Sequence, residues 1–222
     1  MVSKLGAQPA ADASPPEYVT KRQYAADRLR EMIVAGDLAA GSQVRQQTIA
    51  RLLGISATPV REAIWQLESE GYLKSLPHVG FRVTQPHPDW FPEVLDLRLN
   101  LEGRLARIAA QVRTDEEAAF FQELNDRYRV AVQGRDVRET LRLNFRLHKS
   151  IWEAGHQPVT AAILSSLWAK FPRTTPAIAA KVPGEHQELV DAISARNPAE
   201  AETAMCRHLS AAYGHWKDKI ES

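Results

Sequence analysis

The sequence has few of the features that mark several large classes of protein. Its 222 residues include one cysteine, Cys206, which excludes a disulfide framework and a cluster of thiolate metal ligands within one chain. No stretch approaches the roughly 18 consecutive apolar residues of a membrane-spanning helix, and the N-terminus lacks the apolar core of a signal peptide. We therefore expect a cytoplasmic protein that does not associate with membranes.

The chain also lacks a large net charge of either sign. It carries 28 Lys and Arg residues against 27 Asp and Glu residues, a formal net charge of +1. Global charge therefore does not indicate a nucleic-acid partner, so such a prediction depends on where charged residues are placed. Otherwise the composition is that of an ordinary globular protein, with 44% hydrophobic and 25% charged residues. Residues 1–17, rich in Ala, Pro, Ser and Asp, are predicted to be a disordered lead-in.

The most informative segment predicts two helices joined by a short turn. Residues 45–53 are amphipathic, Gly54 supplies the turn, and Ser56 is a favourable N-cap for a second helix that ends near Gly71. Two helices with this connection, the second carrying polar residues near its N-terminus, are typical of a DNA-binding helix-turn-helix. The alternative is an ordinary helical hairpin.

The surrounding sequence favours the first interpretation. A helix is predicted over Lys21–Ala35, and a β-hairpin over residues 72–84 turns at Pro77–Gly80. We therefore predict a winged helix-turn-helix domain over residues 18–84 and a proline-containing linker over residues 85–90. Residues 91–222 show only helical periodicity and predict an all-helical domain. Its predicted helices are Phe91–Arg113, Asp115–Gly134, Asp136–Gly155, Pro158–Phe171, Gly184–Arg196 and Pro198–Ile220.

The chain resembles the GntR family of bacterial transcription regulators. The winged-helix part carries this resemblance in three stretches: Arg28-Leu-Arg-Glu-Met-Ile-Val-Ala-Gly-Asp-Leu38, Thr58-Pro-Val-Arg-Glu-Ala63 and Leu67-Glu-Ser-Glu-Gly-Tyr-Leu73. The later helices resemble the FadR-type ligand-binding (FCD) domain at Arg98–Glu102, Asn144–His148, Glu185–Ile193 and Arg207–Leu209. The resemblance implies a mainly α protein in which a winged helix-turn-helix is joined to an FCD-type bundle of six or seven helices. It also implies that this bundle, over residues 91–222, is a ligand-binding and dimerisation domain.

The position of Arg61 predicts that it contacts bases. An arginine near the N-terminus of a helix in the major groove can pair bidentately with guanine O6 and N7, and the resemblance implies this role for Arg61. The alternative is a solvated helix arginine. The family commonly has a second arginine where this chain has Ala57, so one main arginine is expected to read the operator. The remaining predicted DNA contacts are Arg45, Ser56 and Thr58 on phosphates, and His78, Gly80 and Arg82 in the wing.

Polar residues within apolar helical stripes predict a metal site. Asn144 and His148 are four residues apart on one inward face, and His186 and His208 occupy inward positions on two further helices. Imidazole ligands suit Zn²⁺, Ni²⁺ and related ions. The resemblance implies a divalent metal held at these positions by an Asp and three His. Asn144 replaces that Asp, which is expected to weaken metal binding; the alternative is that the histidines are satisfied within the core.

Arg98 lies in an apolar row and needs an anion if it is desolvated. Glu102, one helical turn later, could supply that anion, which would make the pair structural. The resemblance implies instead that Arg98 grips the carboxylate of a small organic-acid effector through its forked guanidinium.

These observations together predict a transcription regulator rather than an enzyme. We expect a homodimer that binds a pseudo-palindromic double-stranded operator and acts as a repressor. Its operator affinity would be controlled by a small carboxylate bound at or near the metal. Three alternatives stay open: a direct sensor of divalent metal, a sensor of a metal-free ligand, and a metal-dependent hydrolase fused to a DNA-binding domain, since three histidines around an open position resemble a catalytic zinc site.

Overall fold

The computed structural model describes residues 20–170 and 183–220, and the predicted lead-in at residues 1–17 lies outside them. Within these ranges the chain forms nine α-helices and three short strands. The helices are α1 (Lys21–Val34), α2 (Gln46–Leu53), α3 (Ala57–Ser69), α4 (Phe91–Val112), α5 (Asp115–Gln133), α6 (Val137–Ala154), α7 (Pro158–Lys170), α8 (Pro183–Ser194) and α9 (Pro198–Ile220). The strands are β1 (Gln43–Val44), β2 (Leu73–Leu76) and β3 (Gly80–Val83). Among the residues described, no helix is long and apolar enough to span a membrane.

The first three helices and the sheet form a winged helix-turn-helix, as predicted. Gly54 ends α2 in the left-handed conformation, at φ 66°, which allows α3 to leave at a steep angle. Ser56 occupies the N-cap position of α3, but its side chain makes no capping hydrogen bond and stays exposed. The buried side chains of this domain include Leu29, Ile33, Val60, Ile64, Leu67, Tyr72 and Val83.

The wing contains one strand more than the sequence predicted. β2 and β3 form the expected antiparallel hairpin, and β1 pairs with the other edge of β3, giving the order β1-β3-β2. β1 has two residues, too few to produce an alternating pattern that sequence analysis can detect. Its pairing with β3 fixes the wing against the segment that leads into α2.

Helices α4–α9 form the predicted all-helical bundle, whose central element is α4. This helix packs along α9 and also contacts α6, α7 and α8. A capping box between Thr114 and Glu117 starts α5, which packs against α6 and α8. The core is almost entirely aliphatic and aromatic, with Phe121, Leu124, Leu143, Leu147, Ile151, Leu189, Val190, Ile193 and Met205 among its members.

The winged-helix domain, defined as α1–α3 with the sheet, touches the helical domain, defined as α4–α9. Helix α1 packs against α6, and Ala169 of α7 is part of the core of the winged-helix domain. Between the two, a 3-10 turn at Pro88–Trp90 leads directly into α4.

Candidate functional site

Helix α3 presents a polar face to solvent and an apolar face to the core. Thr58, Arg61 and Glu62 are exposed, whereas Val60 and Ala63 are buried. The helix therefore keeps its predicted base-reading arginine accessible while its other face holds the fold together.

Trp65, on the same exposed face, was not identified by the sequence analysis. The side chain of Trp65 is 52% exposed, and the guanidinium carbon of Arg61 lies 5.4 Å from the centre of its ring. A cation over an indole face at this distance is attracted by the ring electrons. The signal was present in the sequence, because Trp65 follows Arg61 by four residues and falls outside the apolar stripe.

The predicted phosphate contacts at the start of α2 and α3 are also exposed. Arg45 occupies the N-cap position of α2, and its Nε donates to Gln43 Oε1 at 3.2 Å. Ser56 and Thr58 lie in the first turn of α3 with no hydrogen bond from either side chain within the described ranges. Contact of these groups with DNA stays a prediction.

The three predicted wing residues differ in their surroundings. His78 and Gly80 are exposed at the turn between β2 and β3, and both have positive φ, 61° and 86°. Arg82 is half-buried, and its Nη1 donates to the backbone oxygen of Gly41 at 2.9 Å. Arg82 therefore ties the wing to the turn after α1, and its predicted DNA contact is not tested by this arrangement.

In the helical domain, three histidines from three helices meet in one buried cluster. His148 of α6, His186 of α8 and His208 of α9 are each at most 4% exposed. His208 Nε2 lies 3.1 Å from His148 Nε2 and 3.3 Å from His186 Nε2. One nitrogen from each ring lies within 4.8 Å of the others. The predicted convergence of these histidines is thus present.

Neighbouring carboxylates orient two of these rings. Glu102 Oε2 lies 2.6 Å from His148 Nδ1, and Glu185 Oε2 lies 3.2 Å from His208 Nδ1. A carboxylate at Nδ1 favours the tautomer that leaves the Nε2 lone pair free, and the two facing Nε2 atoms then repel each other. A proton can relieve one such contact, whereas a divalent cation can bind all three rings.

The chemistry of the cluster fits a metal. Burial, reinforced by the neighbouring imidazoles, lowers the pKa of His186 and of His208 well below 6.5, so both are neutral as metal ligands must be. Tetrahedral Zn–N bonds of about 2.0–2.1 Å place ligand nitrogens roughly 3.3 Å apart, close to the separations of His208 Nε2 from the other two Nε2 atoms. His186 Nδ1 is buried without a hydrogen-bond partner among the described residues.

Glu102 connects the histidine cluster to Arg98. Its side chain is fully buried and accepts hydrogen bonds from Arg98 Nε, Trp152 Nε1 and Trp168 Nε1, at 2.6, 3.1 and 3.3 Å. Burial alone would raise the pKa of the Glu102 carboxyl, but the charge of Arg98, supported by His148, lowers it to about 2. Sequence analysis identified Glu102 only as a counter-ion for Arg98, because the other partners come from distant helices.

Arg98 is paired within the protein. Its side chain is 5% exposed and forms the ion pair with Glu102, and its guanidinium carbon lies 4.5 Å from the ring centre of Trp168. Glu102 is therefore one partner of Arg98, as the structural alternative in the sequence analysis predicted. An effector carboxylate at Arg98 stays a prediction.

Asn144 differs from the three histidines that it was predicted to join. It lies one turn before His148 on α6 and is half-buried rather than buried. Its amide makes no hydrogen bond within the part of the chain that the structure describes. Its role as a metal ligand stays a prediction.

A winged helix-turn-helix joined to a helical bundle with a buried cluster of three histidines, Glu102 and Arg98 defines a two-domain DNA-binding regulator. Comparison with known families places it more narrowly. Residues 21–83 match "Bacterial regulatory proteins, gntR family", and residues 93–211 match the FCD domain. The chain therefore belongs to the GntR family of transcriptional regulators, with an FCD domain, and the gntR match implies binding to operator DNA.

Individual relatives agree with this assignment. The chain is 30% identical over 202 residues to the "Probable D-xylose utilization operon transcriptional repressor" of Paenarthrobacter nicotinovorans, covering 86% of this chain and 88% of that one. It is 25% identical to the HTH-type transcriptional repressor NanR of Cronobacter sakazakii, covering 86% and 83%. The solved structure of E. coli McbR/YncC has the same fold, with a TM-score of 0.77 at 20% identity over 91% of this chain and 99% of that one.

Proposed function

We propose that this protein is a homodimeric repressor whose operator affinity is set by a small carboxylate bound beside a divalent metal. The observation that carries the proposal is a buried cluster of three histidines, one of which, His148, shares the carboxylate of Glu102 with the buried Arg98. Soluble proteins bury this many ionisable groups together only when they are paired or serve a ligand.

The DNA-binding part of the proposal depends on exposed groups of the winged-helix domain. Arg61 would pair with guanine, Trp65 would hold the Arg61 side chain in an extended orientation, and Thr58 would contact phosphate. In a dimer two such helices would enter successive major grooves, so the operator would be a pseudo-palindrome.

The metal would be held by His148, His186 and His208, with the Asn144 amide as a weak fourth ligand. Zn²⁺ and Ni²⁺ match this donor set, and an oxygen of an anionic effector would take the place of the weakly held Asn144 amide on either ion. Glu102 and Glu185 fix the ring orientations of His148 and His208, as carboxylates commonly do behind histidine ligands.

Arg98 would bind the other oxygens of the effector. Its Nε pairs with Glu102, and its guanidinium carbon lies 4.5 Å from the ring centre of Trp168. A carboxylate that bridged metal and arginine would be recognised by charge at both ends, which favours small organic acids over neutral ligands.

A second candidate function is direct sensing of the metal ion. It is favoured by the Arg98–Glu102 ion pair, because that pair already neutralises the buried arginine without any organic acid. In this case the ion alone would change operator affinity.

Operator binding measured against metal and acid separates these functions. Fluorescence anisotropy with a duplex selected by the protein from a random library would be repeated with Zn²⁺, with Ni²⁺, and with each metal plus a panel of small carboxylates. The proposal expects a change of at least fivefold only when metal and acid are both present. A full change with metal alone would establish the second candidate, and no change under any condition would contradict both.

A further inference from the structure

A cavity lies between the two domains, where α1 and the end of α3 face α6 and α7. Its volume is about 180 Å³, and none of the three clustered histidines lines it. At roughly 30 Å³ for each water in the liquid, the cavity has room for about six waters, so it can hold only a small molecule. We refer to this space as the interdomain cavity.

The most buried part of the lining is largely apolar. Phe145 and Trp152 are each 2% exposed, and the half-buried Ala161 of α7 lies beside them. The one polar atom of the Trp152 side chain, Nε1, donates to Glu102. The indole surface that lines the interdomain cavity is therefore hydrocarbon, and it provides an aromatic wall for an apolar face of a ligand.

The other side of the interdomain cavity is open to solvent. The side chains of Asp27, Lys149 and Glu153 lie in the lining and are 31%, 32% and 61% exposed. A solute can therefore enter from this side without displacing the core.

The charged groups of the lining already pair with one another. Arg30 contacts Glu70 at 2.9 Å and Asp27 at 2.6 Å. Lys149 Nζ lies 3.2 Å from Asp27 and 3.4 Å from Glu153. An ionic ligand would have to compete with these pairs, whereas a neutral polar ligand would leave them intact. The lining therefore favours a ligand without net charge.

Hydrogen-bonding capacity remains among these groups. Lys149 Nζ has three N–H donors for two acidic neighbours, so at least one donor is available. Gln23 donates to Asp27 at 3.1 Å, and its amide oxygen accepts no hydrogen bond from the described residues. Ser165 Oγ donates to Glu70 at 3.3 Å and keeps lone pairs that can accept. Hydroxyl groups suit such a mixture of donors and acceptors, because each hydroxyl can both donate and accept.

We propose that the interdomain cavity binds a small neutral polyhydroxylated molecule of the sugar or sugar-alcohol class. Its C–H face packs on Trp152 and Phe145, and its hydroxyl groups bind Gln23, Lys149 and Ser165. The inference is independent of the proposed metal and carboxylate, because the interdomain cavity lies outside the histidine cluster.

Calorimetric titration of metal-free protein, without DNA, tests the ligand class. The probes are D-ribose, D-xylose, D-glucose and xylitol, with L-serine and lactate as zwitterionic and anionic comparisons. We expect at least one of the four polyhydroxylated probes to bind with a Kd below about 1 mM. Binding of L-serine or lactate alone, or of none of the six probes, would overturn the proposal.

Two variants test the position of the bound molecule. Ala162→Leu places a larger side chain at an exposed part of the lining, and Gln23→Met removes the amide while keeping the length of the side chain. Each should weaken binding about fivefold or more. Ala119→Leu and Gln133→Met, the same changes at exposed positions of α5 outside the lining, should leave the Kd unchanged. Equal Kd values in all four variants would contradict binding in the interdomain cavity.

A local signal separates binding beside Trp152 from binding at the surface. In protein labelled with 5-fluorotryptophan, the ¹⁹F resonance that is lost in Trp152→Phe should shift when the sugar is added, whereas those of the exposed Trp65 and Trp90 should not. If Trp152→Phe does not fold, Trp65→Phe and Trp90→Phe identify the two exposed resonances, and the shift must fall on another one. A shift confined to the exposed tryptophans would refute the site. Failure of the metal-dependent repressor proposal would leave these results unaffected, because neither metal nor DNA is present.

Discussion

The two domains place their candidate functional residues in opposite environments. In the winged-helix domain Arg45, Ser56, Thr58 and Arg61 are exposed, and no core contact depends on them. In the helical domain Arg98, Glu102, His148, His186 and His208 are buried at 4% exposure or less. DNA is a large polyanion that must be met at the surface, whereas a small acid or a metal can be enclosed.

This contrast predicts how function and stability separate. Substitutions in the DNA-contacting set should change binding and leave folding intact. Substitutions in the buried set should change both ligand binding and folding stability, because each of these buried polar groups also packs in the core of the helical domain.

The largest expected effect is on stability. Glu102→Gln removes the negative charge that pairs with Arg98 in the core and weakens the hydrogen bonds from His148 and the two indoles. Loss of one partner of a buried ion pair costs about 3–5 kcal/mol of unfolding free energy. Urea denaturation of metal-free protein measures it. A loss of unfolding free energy below about 1 kcal/mol would show that the ion pair between Arg98 and Glu102 contributes little to folding.

A large effect on binding without loss of stability is expected for Arg61→Ala. Removing the guanine contact should weaken specific binding about 10- to 100-fold per half-site, since a bidentate pair is worth about 1–3 kcal/mol. The melting temperature should not change, because Arg61 is exposed. Arg51→Ala, an exposed arginine on α2, is the control. Equal losses in the two variants would assign Arg61 a purely electrostatic role.

An intermediate effect is expected from pH. In metal-free protein the pKa values of His186 and His208 lie well below 6.5, so below about pH 6.5 the unfolded chain binds protons that the folded chain excludes. The contribution of these two histidines to the free energy of unfolding is therefore fully present above about pH 6.5. It falls as the pH drops, by up to about 1.4 kcal/mol per pH unit for each group. Urea midpoints from pH 7.5 to 5 measure the slope. His186→Gln should reduce it, and a flat profile for the wild type would contradict burial of neutral rings.

The smallest effect is expected for Trp65→Ala. Without the indole, Arg61 samples more orientations, and operator affinity should fall about twofold to fivefold, in line with a cation–π contact of about 0.5–1 kcal/mol. Trp65→Phe should retain most of the affinity. Replacing guanine by 7-deazaguanine in the selected duplex should then lower the affinity of Trp65→Ala less than it lowers the affinity of the wild type. An equal penalty in both would show that Trp65 does not position Arg61.

The sequence was sufficient for what depends on local pattern. Apolar periodicity and proline or glycine breaks predicted α4 as Phe91–Arg113, and the helix spans Phe91–Val112. The same stripes indicated that His148, His186 and His208 face one interior, since a polar residue in an apolar row must point inward. The structure brings these three rings together.

The sequence was insufficient for contacts between distant segments. Nothing around Glu102 indicated that Trp152, Trp168 and His148 would all meet it, because these partners lie 46 to 66 residues away. The ion pair between Asp27 of α1 and Lys149 of α6 could not be predicted either, because the two residues are 122 positions apart in the sequence. Strand β1 was missed because two residues carry no periodicity.

Metal content tests the central claim most directly. Elemental analysis would be made on wild-type protein, His148→Ala and the surface control His156→Ala, each equilibrated with a small molar excess of Zn²⁺ and then desalted. With two equivalents of Zn²⁺ per chain supplied in that equilibration, we predict about one zinc per chain in the wild type and in the control, and a loss of at least tenfold in occupancy for His148→Ala. No zinc in the wild type, or equal zinc in all three proteins, would contradict a metal centre at the buried histidines.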